Sequence, residues 1–67
     1  MKKYYIGYDN KPWEPMTDFV IMAETKCEGV ATMIRDSYNK AYEEVGMSSR
    51  LVIVNKNDIK GFRYAED

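Results

Sequence analysis

Residues 25–46 read TKCEGVATMIRDSYNKAYEEVG, and the spacing of their apolar members decides the fold. Cys27, Ala31, Ile34, Tyr38, Ala41 and Val45 fall alternately four and three apart, which lays one stripe along about five helical turns. Val30, Met33 and Tyr42 widen that stripe, while Arg35, Asp36, Lys40 and Glu43 occupy the opposite side. Thr25 with Glu28 three residues on has the form of a capping box. Gly46 can take the positive φ that ends a helix. The stretch is therefore expected to be one long amphipathic helix.

Working outward, the residues before and after change period. Residues 2–8 alternate Tyr4, Ile6 and Tyr8 with Lys3, Tyr5 and Gly7, a β-strand pattern. Residues 18–23 carry the run FVIMA and residues 50–55 the run LVIV, both expected as strands. KNDIKG is expected to turn the chain into a last strand over 60–65. Residues 9–17 form a loop in which Pro12 and Pro15 lack the amide protons that a sheet ladder needs. The expected fold is a single α+β domain spanning residues 1–67. Its order is ββαββ, with a mostly antiparallel sheet of about four strands and one helix on one face.

The second and third strands are apolar on both sides. If Phe19, Ile21 and Ala23 face the helix, Val20 and Met22 face away, as do Val52 and Val54 when Leu51 and Ile53 face inward. Strands of that kind are normally covered on both faces, and a single helix covers one. The remaining face needs the Trp13 loop, a second copy of the chain, or another partner. The only Trp thus has two readings. As a lid, Trp13 folds with Met16 over the second face. As an anchor, it is an exposed aromatic of the kind that dominates protein interfaces. The lid is preferred, because the face needs cover even without a partner.

The 67 residues include one Cys and no His, which excludes an internal disulfide and the mixed Cys/His zinc sets. The lack of His also removes the commonest general base and the usual partner of a nucleophile. Cys27 lies on the expected buried stripe and is taken as a core residue. No cofactor is implied, and the chain is expected not to be an enzyme. MKKYYIGYD at the start has no apolar signal region, and no run approaches a membrane span. A cytoplasmic protein is expected, of the cell itself or of something replicating inside it.

The net charge of −1 argues against a general polyanion binder. Acidic residues nevertheless concentrate at Glu14, Asp18, Glu24 and Glu28, and basic ones at Arg50, Lys56, Lys60 and Arg63. Pairing between these segments is the expected use of the charges. A small ββαββ plan without catalytic groups resembles the accessory proteins of phages and mobile elements, many of which bind and inhibit a host protein. The expectation is a non-enzymatic protein-binding module, an inhibitor or a homodimer among its forms. Its candidate contact residues are Trp13, Met16, Tyr5, Val20, Met22, Val52 and Val54. The alternatives are a nucleic-acid binder using Tyr5 with Lys3, Lys56, Lys60 and Arg63, and a structural subunit of a larger assembly.

Overall fold

The computed structural model describes residues 2–47 and 51–65. The chain runs β1 (Tyr4–Asp9), β2 (Phe19–Thr25), α1 (Glu28–Glu44), β3 (Val52–Asn55), a short 3-10 turn (Lys56–Asp58) and β4 (Phe62–Tyr64). This is the expected ββαββ order. Arg50, the first residue of the expected third strand, lies outside the described residues. The strands form one sheet in the order β3-β1-β2-β4. β1 is antiparallel to both β2 and β3, and β4 is parallel to β2. Among the described residues, no helix is long and apolar enough to cross a membrane.

The parallel pairing of β4 corrects the expected turn at KNDIKG. Asn55 pairs with Tyr4 at one end of the sheet, whereas Phe62 pairs with Phe19 at the other, level with Asp9. Residues 56–61 therefore cross the sheet diagonally as a strap. Ile59, within the strap, packs on a buried cluster of Tyr5, Phe19, Ile21 and Val54, with Met16 beside it. The second face is thus covered largely by the chain's own crossover. The need for a second copy or a Trp13 lid falls away with it.

The helix side holds a separate cluster of Ile6, Ala31 and Leu51, flanked by Tyr4, Met22, Ala23, Ile34, Tyr42 and Ile53. The assignment of faces along β2 is accordingly reversed. Phe19 and Ile21 lie under the strap, and Met22 packs toward the helix. Ala23 keeps its expected side because the register shifts between Ile6 and Gly7, leaving Met22 as an extra residue opposite that link. An apolar run without alternation fixes neither its faces nor its bulge. Gly7 is required at the bulge: a Cβ there would lie 1.8 Å from the Val20 carbonyl oxygen.

The helix begins one turn-fragment later than the capping box implies. Thr25 still pairs with Tyr4 in the ladder, so it cannot also turn into a helix. Cys27 is the N-cap, its amide donating to Thr25 Oγ1 at 3.2 Å, while Glu28 accepts from the Tyr4 hydroxyl at 3.4 Å. Cys27 is consequently exposed, not part of the core. At the other end, Gly46 takes φ 78°. Its amide donates to Glu43 O, and the Met47 amide donates to Tyr42 O, a Schellman closure. Of the expected apolar stripe, Ala31 is buried and Ile34 and Tyr42 are half-buried, whereas Val30, Met33, Tyr38, Ala41 and Val45 are exposed. The helix thus meets the sheet along a narrower line than its apolar residues suggest.

Candidate partner-binding surface

The Trp13 loop consists of two successive proline turns. Glu14 N–H donates to Lys11 O at 2.9 Å, closing a turn with Pro12 second and Trp13 third. Thr17 N–H then donates to Glu14 O at 3.2 Å, closing a turn with Pro15 second and Met16 third. Met16 has φ 61°, the positive value that a type II turn demands at that position. Asp9 ties the two together, accepting from the Lys11 amide at 3.2 Å and the Met16 amide at 3.0 Å. Asn10 N–H donates to Asp18 O at 3.0 Å and closes the base of the loop.

This geometry exchanges the expected roles of the two large side chains. Met16 points inward onto the strap-side cluster, and its carbonyl accepts from both the Lys60 and Gly61 amides, at 2.8 and 3.0 Å. Trp13 is 73% exposed. The lid reading of Trp13 is therefore corrected: Met16 is the lid. Of the other expected contact residues, Tyr5 is 5% exposed and Val20 4%, and Val54 is also buried. These three belong to the core of the isolated chain and offer a partner almost no area. Met22 is half-buried on the helix side, and Val52 is exposed on edge strand β3.

An exposed aromatic pair lies on β4, where the alternation of residues 60–65 places Phe62 and Tyr64 on one face. Phe62 is 45% exposed and Tyr64 53%. Phe62 stacks on the buried Tyr5 ring at 6.3 Å between centroids and meets Tyr64 edge-on at 6.1 Å. Tyr64 OH donates to Glu24 Oε1 at 2.9 Å, and Lys3 Nζ lies 3.0 Å from Glu24 Oε2. The hydrogen bond to Glu24 raises the pKa of Lys3 above its ordinary value, and that of Tyr64 likewise. The same bonds, from Lys3 first and Tyr64 second, lower the pKa of Glu24. No such network is legible in the sequence, since it joins β2 and β4 to Lys3, the residue just before β1.

The expected basic patch is divided. Lys3 is held by Glu24, and Arg63 Nε lies 3.3 Å from Asp18 Oδ1, one instance of the expected acidic–basic pairing. Lys3 and Lys56 line one shallow cleft with Asn55 and Asp58, while Arg63 lines another. Lys60 lies on neither. The Arg63 cleft encloses about 650 Å³ between the C-terminal end of α1 and the β2–β4 half of the sheet. Tyr8, Met22, Tyr42 and Met47 provide its apolar wall. Among the described residues, no three Cys, Asp or Glu side chains group as a metal site.

Neither a family model, nor a curated protein, nor a solved structure matches the chain.

Proposed function

We propose that this chain is a non-enzymatic protein-binding module that anchors its partner through Trp13. The observation carrying this reading is a 73%-exposed Trp on a loop whose backbone is braced by two proline turns and the Asp9 carboxylate. Large aromatics held rigidly before binding lose little conformational freedom on contact. Trp is also among the residues that most often dominate interface energies. The sequence has no His to serve as a general base, which supports a role in recognition over catalysis.

The test compares the parent protein with Trp13→Ala as baits in extracts of the source cells. The variant is expected to melt like the parent, because the indole covers little of the core. A protein retained stoichiometrically by the parent should be lost from the variant, a weakening of about 2 kcal/mol or more. Equal capture by both baits, or capture of nuclease-sensitive material alone, would refute the reading.

A further inference from the structure

We propose that the free edge of β4 receives an extended, acidic–apolar segment of a partner protein as a fifth strand. The proposal rests on the reading of the chain as a protein-binding module but uses a different surface from Trp13. Its basis is the hydrogen-bond phase of the β2–β4 ladder. Phe19 N–H donates to Gly61 O, and Ala65 N–H donates to Ile21 O. With Phe19, Val20 and Ile21 opposite Phe62, Arg63 and Tyr64, this phase turns the main-chain groups of Arg63 toward β2. The N–H and C=O groups of Phe62 and Tyr64 point outward, along an edge with no strand beyond it among the described residues. A strand presenting such groups is a template for pairing with another chain.

The side chains around that edge specify what fits. On the strap side, the Phe62 and Tyr64 rings give an added strand an apolar surface for every second residue. On the helix side, Arg63 stands at the mouth of the 650 Å³ cleft. Its Nε engages Asp18, and the rest of the guanidinium has no other ionic partner among the described residues. Residues alternating with the apolar ones are therefore best acidic. A second copy of this chain is a poorer occupant. Antiparallel pairing of β4 with itself about Arg63 sets two guanidinium groups directly opposite, and like charges there destabilise a pair.

The probe is a fluorescein-labelled peptide, Thr-Val-Glu-Phe-Asp-Val-Thr, capped at its C-terminus and titrated by anisotropy. Two further peptides carry N-methyl groups on alternate amides, one on each edge of the strand. The expected result is binding of the parent peptide, at least tenfold weakening by one methylated set, and little change by the other. Amide exchange at Phe62 and Tyr64 should slow when the peptide is bound. Arg63→Glu should weaken the acidic peptide at least tenfold and favour a version with Lys in place of Glu and Asp. Equal binding of both methylated peptides, unchanged exchange at Phe62 and Tyr64, or no binding at millimolar peptide would overturn the proposal. Concentration-dependent protection of those amides without peptide would overturn it in favour of a second copy. Trp13→Ala is titrated alongside and should bind the peptide like the parent. Failure of the peptide with Trp13-dependent capture intact would sink the strand-addition proposal alone.

Discussion

Asn39 and Leu51 exchange two hydrogen bonds across the junction of helix and sheet. Leu51 N–H donates to Asn39 Oδ1 at 2.7 Å, and Asn39 Nδ2 donates to Leu51 O at 3.2 Å. A side-chain amide here satisfies the main-chain groups of Leu51, the buried residue just before β3. Asn39→Asp keeps the acceptor but loses the donor and sets a carboxylate against the Leu51 carbonyl. It is expected to destabilise the protein by about 1–3 kcal/mol, as does leaving such groups unpaired elsewhere. Urea unfolding of Asn39→Asp and Asn39→Ala at neutral pH measures this. A parent-like midpoint for both would show that water replaces the side chain at no cost.

Ile59 is expected to be the principal fastener of the strap. Ile59→Ala should cost about 1–3 kcal/mol, below the range for a fully buried residue because Ile59 is only half-buried. Binding of a hydrophobic dye should rise in the variant, since the Tyr5–Phe19–Ile21–Val54 cluster lies directly beneath. If neither stability nor dye binding changes, the second face has some other cover.

Two glycines are expected to respond differently to alanine. At Gly7 the new Cβ meets the Val20 carbonyl oxygen at 1.8 Å and the Phe19 ring at 3.0 Å. Neither backbone nor buried ring can yield cheaply, so a loss of about 3 kcal/mol or more is expected. On a domain of marginal stability this largely unfolds the protein. At Gly46 a Cβ meets nothing within 4 Å, and only the positive φ is strained, at a cost of about 1 kcal/mol. Circular dichroism melts distinguish the two, and equal losses would contradict the bulge geometry.

Glu24 is expected to set the pH range of β4 attachment. Its lowered pKa means that its contribution is present above the ordinary carboxylate range and lost as pH falls through the folded value. Lys3 and Tyr64, both raised, contribute below their ordinary values and lose that contribution as pH rises through the folded ones. The network thus acts between mildly acidic and strongly alkaline pH. Glu24→Gln should flatten both limbs of the stability–pH curve, with the effect shrinking in high salt because the groups are exposed. An unchanged acid limb would assign the acid sensitivity to other carboxylates.

The helix, the strand order along the chain and the closing role of Gly46 are legible because each rests on a local period or a single backbone requirement. The faces of β2 are not, because FVIMA has no polar residue to mark an outside. The direction of β4 is equally hidden: a strap and a hairpin turn share the polar, glycine-bearing composition of KNDIKG, and only Ile59 distinguishes them. For the Trp13 loop, side-chain size favours Trp13 as the cover. The deciding factor is instead the phase of the two proline turns, which aims Met16 inward and Trp13 outward. Tyr5 and Val54 are placed among the contact residues by the same missing information about cover, which the strap supplies, whereas Val20 is buried on the helix side, level with Arg63.

The strap also divides the molecule by resistance to opening. The helix-side core joins β1, β2, β3 and α1, whereas the strap and β4 hold on through Ile59, the Met16 carbonyl and a three-residue parallel ladder. Releasing residues 56–65 leaves the first core in place, so the segment has the makings of a separate low-stability unit. Such release bares the outer edge of β2 together with Phe19 and Ile21, which turns a brief local fluctuation into an adhesive state. Storage life and expression yield would then track how often this flap lifts, and not how often the whole chain unfolds.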